Sequence, residues 1–185
     1  MSVLVILVVS ATTLLSACIP RGGGHAELPL FDAHIHYNHD AWEKTSPKEA
    51  ITLLRQAGVV RALVSSSSDE GTQKLYAEAP DLIVPELRPY RKNGETSSWI
   101  HDDSVLAYLE ERLKWHKYVA IGEFHVSGAD ADLPVVRRVV QLAKQHGLML
   151  HAHSDADAVE RLFPTGSRSP DYLGACWIRA AVARA

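Results

Sequence analysis

The stretch LPLFDAHIHYNHDAWEKTSPKEAITLLRQAGVVRALVSSSS, residues 28–68, carries the pattern that decides the fold class. Two short apolar runs, Leu28–Ile35 and Val59–Val64, are each followed by polar residues, as expected of buried strands. The segment between them begins with the capping box SPKE at 46–49 and stops at Gly58, which are typical helix boundaries. The stretch therefore predicts a strand–helix–strand unit with parallel strands.

The same alternation continues as far as Phe163. The pattern predicts further strands at Asp81–Leu87, Tyr118–Ile121 and Leu148–Ala152, and further helices around 71–79 and at Ser104–Lys114, Leu133–His146 and Asp155–Phe163. Five βα units predict an α/β protein, with either an open doubly wound sheet or the first part of a (β/α)₈ barrel. Because a complete TIM-type barrel takes about 250 residues, a barrel at 28–163 would be incomplete and hold about its first five βα units.

The composition is that of an ordinary globular domain. A net charge of −3 gives no electrostatic reason for nucleic-acid binding, so a nucleic-acid partner is not favoured. The two cysteines, Cys18 and Cys176, lie far apart and outside any CxxC pair, which argues against a zinc ribbon or a disulfide scaffold. The 10 histidines are many for 185 residues and they cluster, so their positions carry the functional signal.

The N-terminus has the pattern of an export signal. Residues 2–17 are uncharged and end in small residues, which is typical of a secretory signal peptide and short for a membrane span. LSAC at 15–18 resembles the lipobox of bacterial lipoproteins, and this resemblance implies lipidation of Cys18. The glycine-rich segment 19–27 would then be a flexible tether, and the protein an exported lipoprotein that faces the periplasm or cell exterior from its membrane anchor. An uncleaved anchor helix or a buried first strand is the alternative.

Three polar clusters fall where predicted strands end, which is where parallel α/β folds build their sites. They are FDAHIH at 31–36, IGEFH at 121–125 and HAHSD at 151–155. Residues i and i+2 of a strand share a face, so His34 and His36 point the same way, and two neutral imidazoles suit Zn²⁺ or a similar cation. A lone histidine at a strand end is commonly a solvated loop residue. The joint placement of three clusters favours a metal site, because unpaired buried polar groups are costly.

With these clusters the chain is similar to the amidohydrolase superfamily of metal-dependent hydrolases, over roughly residues 28–163. FDAHIH resembles the HxH motif at the end of barrel strand one, YVAIGEFH (118–125) the strand-four segment of the TatD-like branch, and GLMLHAHSD (147–155) strand five. The resemblance implies a site with one or two divalent ions, zinc first. The implied metal ligands are His34, His36, Glu123 and His153, with His151 as the second choice on strand five, and the implied substrate-side residues are His125 and Arg88, the latter for an anionic substrate.

The resemblance implies hydrolysis of an amide, lactone or ester-like bond in a small molecule by a metal-activated water, or decarboxylation in related branches. The superfamily's general base is typically an Asp after strand eight, helped by a His after strand six. Neither is visible in this sequence, so no catalytic residue is assigned. Two alternatives stay open: a TatD-type metal-dependent nuclease or phosphoesterase, and a non-catalytic lipoprotein that binds metal or a small ligand.

The sequence changes character at 164–185, where neither strand nor helix periodicity continues. Residues 175–179, ACWIR, are encoded by GCN TGY TGG ATH and an arginine codon. Read one nucleotide later, these bases can encode His-Ala-Gly-Phe, which resembles the superfamily's strand-six motif. This predicts a frameshift near Phe163 that replaces the second half of the barrel and leaves a truncated, inactive product. A genuine, divergent C-terminal helix is the alternative.

Overall fold

The computed structural model describes residues 29–163. The predicted signal peptide with Cys18, the tether at 19–27 and the tail at 164–185 lie outside the described residues. The described strands are β1 (Leu30–Ile35), β2 (Val59–Ser65), β3 (Ile83–Leu87), β4 (Ala120–His125) and β5 (Met149–His153). The described helices are α1 (His39–Trp42), α2 (Pro47–Gln56), α3 (Asp69–Glu78), α4 (Ser104–Trp115), α5 (Pro134–His146) and α6 (Ala156–Leu162). Short 3₁₀ turns at Trp99–His101 and Gly128–Asp132 lie in the loops after β3 and β4.

The five strands form one parallel sheet in the order β1-β2-β3-β4-β5, curled into a half-barrel. Each strand pairs with the next one along the chain, so the predicted α/β class with alternating βα units is confirmed. Crossovers of one hand between consecutive parallel neighbours place their helices on the same side of the sheet. The opposite side is the concave face of the half-barrel. Within residues 29–163, the outer edges of β1 and β5 pair with no further strand.

Two hydrophobic clusters hold the helices against the sheet. One lies between α2, α3 and the first three strands and includes Val64 and Leu75, and the other lies between α4, α5, α6 and the later strands and includes Leu109, Ile121 and Val136. Burial of each such side chain stabilises the fold by roughly 1.5–3 kcal/mol. Because the apolar side chains take the helix-facing positions, polar side chains near the strand ends face the concave side.

Most predicted elements are confirmed, with small shifts at their ends. Glu49 closes the predicted capping box with the serine before α2, and Gly147 ends α5 in the left-handed conformation with a φ of 65°. The largest shift is in β4, because the apolar run predicts a strand at 118–121 whereas the strand continues to His125. The pattern did not predict α1 or the two 3₁₀ turns. No helix of the described part is both long and apolar enough to cross a bilayer.

Candidate metal centre

Three side chains from the first and fourth strands meet at the carboxyl end of the concave face. His34 lies near the end of β1, His36 directly after it, and Glu123 on β4. The Nε2 atoms of His34 and His36 are 2.9 Å apart, and each lies 3.1 Å from Oε2 of Glu123. Glu123 is buried, whereas 40% of the His34 side chain is exposed, so the group is open to solvent on one side. These three residues are called the triad below.

The triad has the composition and spacing of a metal site. Its edges of 2.9–3.1 Å approach the roughly 3.3 Å edge of a tetrahedral site with bonds of about 2.0–2.1 Å. Burial lowers the pKa of His34 and so favours the neutral imidazole that binds a metal. Two imidazoles and a carboxylate leave a fourth position open, as in catalytic zinc sites. The triad can therefore hold a metal ion.

Ser65, at the end of β2, fixes the orientation of His36. The backbone oxygen of Ser65 lies 2.5 Å from Nδ1 of His36 and accepts its hydrogen bond, so Nε2 is the ring nitrogen that faces the triad. The Ser65 hydroxyl accepts the backbone N–H of Glu123 at 3.2 Å. One serine therefore ties together the strands that carry two of the three donors. Sequence reasoning missed Ser65, because four serines in a row at 65–68 do not distinguish it from its neighbours.

A bulge in β4 turns Glu123 toward the concave face. Gly122 and Phe124 pair with consecutive residues of β5, so Glu123 is an extra residue in its strand. Strict alternation would instead place Glu123 on the same side as Ile121, which is buried against the helices. Gly122 permits the close approach of β5, because a Cβ at this position would lie 2.3 Å from the backbone oxygen of His151.

Arg88, directly after β3, holds Glu123 from a second direction. Its Nε donates to the backbone oxygen of Glu123 at 2.9 Å, and its Nη2 donates to Oε2 at 3.2 Å. The guanidinium is buried and lies 4.6 Å from the ring centre of Tyr90. Burial alone would raise the pKa of Glu123, but the hydrogen bond from His36 and the charges around it, Arg88 included, bring this pKa below its ordinary value. The role of Arg88 toward an anionic substrate stays a prediction.

The two histidines that the sequence left as alternatives on β5 have different partners. His153 places Nδ1 3.4 Å from Oε1 of Glu123. His151 instead places Nδ1 3.0 and 3.1 Å from the two carboxylate oxygens of Glu86, which is buried on β3. Burial alone would lower the pKa of His151, but the hydrogen bond and charge of Glu86 outweigh it and raise the pKa. Glu86 was missed at the sequence level, although a carboxylate inside the apolar run IVPEL (83–87) was the available signal.

His125 and His153 form a second group of potential ligands with Glu123, called the second group below. The two imidazoles are stacked, with ring centres 4.5 Å apart and planes 22° from parallel. Nδ1 of His125 lies 3.1 Å from the Tyr90 hydroxyl, which also accepts the backbone N–H of His125 at 2.8 Å. Tyr90, which the sequence analysis did not identify, thus fixes the position of His125.

Residues that follow β1, β2 and β3 also line an open groove of about 600 Å³. Its lining residues lie in the loops and helices that follow the carboxyl ends of these strands. Its lining includes His39, Trp42, Ser67, Lys92, Asn93 and Tyr108. Aromatic, hydroxyl and cationic side chains of this kind offer contacts to a small polar organic molecule.

Comparison with known proteins does not place the chain in a family. No protein-family model matches it, and no curated protein matches it significantly.

Proposed function

We propose that residues 29–163 form about half of a (β/α)₈-type, metal-dependent hydrolase of the amidohydrolase kind. The observation that supports this most directly is the triad at the carboxyl end of a curled parallel sheet, the end at which barrel enzymes build their active sites. Zinc is the proposed ion, because two imidazoles, one carboxylate and an open position are typical of hydrolytic zinc sites. The proposed substrate is a small molecule with an amide, lactone or ester-like bond.

A divalent ion at the triad would supply Lewis acidity, which polarises a carbonyl or phosphoryl oxygen and lowers the pKa of water. The protein's own side chains would hold the ion and contact the substrate. His34 and His36 would provide imidazole nitrogens, and Glu123 would provide a carboxylate oxygen. His125, stacked on the more exposed imidazole of His153, would contact the substrate.

A second candidate function is metal or ligand binding without turnover. Both buried carboxylates described above are engaged, Glu123 by Arg88 and the histidines, and Glu86 by His151. Neither is free to act as a general base, a role that needs a group within hydrogen-bond reach of the attacking water. The two candidates differ in turnover but share the triad.

The proposal is tested by zinc titration of the purified full chain after chelator treatment, with bound metal measured by calorimetry and elemental analysis. We expect His34→Ala and His36→Ala each to weaken zinc binding by ~100-fold or more, because ligands bind more strongly than the outer contacts whose loss costs ~10–100-fold. His101→Ala, an exposed histidine on the 3₁₀ turn, is the matched control and should bind as the wild type does.

Unchanged zinc affinity in either triad variant would refute the site. If zinc binds as expected, the loaded protein is assayed on amides, lactones and phosphodiesters in parallel. Turnover of an amide or lactone supports the hydrolase, cleavage confined to phosphodiesters supports the TatD-type alternative, and zinc binding without turnover supports the binding protein.

We further propose that the protein is exported and anchored to the membrane through a lipid on Cys18. The support is the apolar segment 2–17 and the LSAC motif at 15–18. Cys18→Ser should move the protein from the membrane fraction to the soluble fraction and abolish incorporation of labelled palmitate. An unchanged distribution of this variant would exclude the lipid anchor.

A further inference from the structure

The triad and the second group share the carboxylate of Glu123, and together they are called the cluster below. We infer that the cluster binds one divalent ion, at the triad, and that the guanidinium of Arg88 takes the place of a second cation. This inference rests on the proposed function, because it presupposes metal binding at the triad.

The charge around Glu123 disfavours a second ion. Its carboxylate is the negative group common to the triad and the second group. The guanidinium of Arg88 already lies 3.2 Å from Oε2, and both side chains are less than a tenth exposed. Charges interact strongly in such a poorly solvated position. The other buried carboxylate nearby, that of Glu86, is already paired with His151. Two divalent ions and the guanidinium would therefore depend on the carboxylate of Glu123, so occupation of the second group is strongly disfavoured.

The orientation of the imidazoles also favours a single ion at the triad. A ring nitrogen binds a metal through a lone pair that lies in the plane of its ring. The rings of His34 and His36 are 76° from parallel, and their Nε2 atoms are 2.9 Å apart, so both lone pairs can point to one position. The rings of His125 and His153 are stacked with their planes 22° from parallel, so one ion cannot lie close to both planes. The second group therefore lacks the convergent geometry of the triad.

A histidine of the second group already has a partner outside the group. Nδ1 of His125 lies against the Tyr90 hydroxyl at 3.1 Å. This contact holds the His125 ring in place, which is the function of outer contacts at a single-ion site. A second ion that bound Nδ1 of His125 would have to displace it.

The decisive measurement is the number of zinc ions bound per chain, by elemental analysis of the full chain after equilibration with zinc in a weak competing chelator. We expect one equivalent in the wild type and one in His125→Ala. We expect Arg88→Met, which keeps the length of the side chain but removes the charge, to bind a second equivalent or to bind the first at least ~10-fold more tightly. Arg88→Lys keeps the positive charge and should remain at one equivalent with near wild-type affinity.

Two equivalents in the wild type, with the second lost in His125→Ala, would overturn the inference and leave the proposed function intact. No bound zinc in the wild type would instead refute the proposed function, and this inference with it. If Arg88→Met does not fold, the counts in the wild type, His125→Ala and Arg88→Lys still decide. An Arg88→Met chain that folds, holds one equivalent and shows unchanged affinity would show that the guanidinium does not control the ion count.

Discussion

Replacement of His151 by leucine removes the hydrogen-bond partner of Glu86, the most deeply buried carboxylate near the triad. Glu86 is 1% exposed, and its two carboxylate oxygens lie 3.0 and 3.1 Å from Nδ1 of His151. Leucine fills much of the space of the imidazole but has no donor, so the buried carboxylate of Glu86 loses its hydrogen-bond partner. Removal of one partner of a buried pair costs about 3–5 kcal/mol. Because a whole domain is stable by only about 5–15 kcal/mol, we expect His151→Leu to remove a large fraction of the free energy of unfolding.

Urea unfolding followed by circular dichroism measures this loss, and a double-mutant cycle assigns it to the pair. The double variant Glu86→Leu/His151→Leu replaces both polar groups with apolar ones, so it should be more stable than His151→Leu by at least about 2 kcal/mol. Arg55→Leu is the matched control. It breaks an ion pair with Asp81 in which both side chains are more than half exposed, and it should cost at most about 1 kcal/mol.

The His151→Leu variant also tests whether His151, like His153, is a candidate metal ligand. Since Nδ1 of His151 is committed to Glu86, a His151→Leu chain that remains folded should still bind zinc with near wild-type affinity. A loss of stability below about 1 kcal/mol, similar to that of an exposed pair, would show that Glu86 does not depend on His151. Loss of zinc from a folded His151→Leu chain would make His151 a ligand and refute the structural role.

Three further predictions concern contacts outside the triad. Gly122→Ala should destabilise the fold by about 3 kcal/mol or more in urea unfolding, because the added Cβ would lie 2.3 Å from a backbone oxygen of β5; a loss below about 1 kcal/mol would contradict the close packing. The melting temperature should fall as the pH is lowered from 4.5 toward about 2, because hydrogen bonds from Ser104 and Arg91 lower the pKa of Asp102 to about 2, and hydrogen bonds from Arg91 lower the pKa of Glu95 despite its burial. A carboxylate with a lowered pKa stabilises the fold above its ordinary pKa and loses that contribution on protonation, so Glu95→Gln should reduce the pH dependence, and an unchanged pH profile would refute this cause. Asp69→Asn should cost about 3–5 kcal/mol in the same unfolding assay, because buried Asp69 accepts hydrogen bonds from Arg112 on α4, Nε at 2.7 Å among them; a near-neutral effect would show that this pair adds no stability.

Local sequence patterns were sufficient for the five strands, for five of the six described helices and for the location of the candidate ligands. Helix starts and stops depend on residues within one turn, so the capping box before α2 and Gly147 after α5 were readable directly. The clusters at 31–36, 121–125 and 151–155 were likewise visible as polar residues that follow apolar runs. Since parallel neighbours present their carboxyl ends at one edge, their convergence was also predictable.

The sequence by itself thus determined the alternation of strand and helix, the α/β class and the set of residues from which a metal site could be built. Only the tertiary structure decided which of them meet. The bulge that turns Glu123 to the concave face depends on the pairing of β4 with β5, and a shift of one residue would turn it to the helices. The pairing of His151 with Glu86 joins residues 65 positions apart. Helix caps and strand periodicity arise from neighbours along the chain, whereas these contacts arise from register and packing between distant strands, which no local pattern encodes.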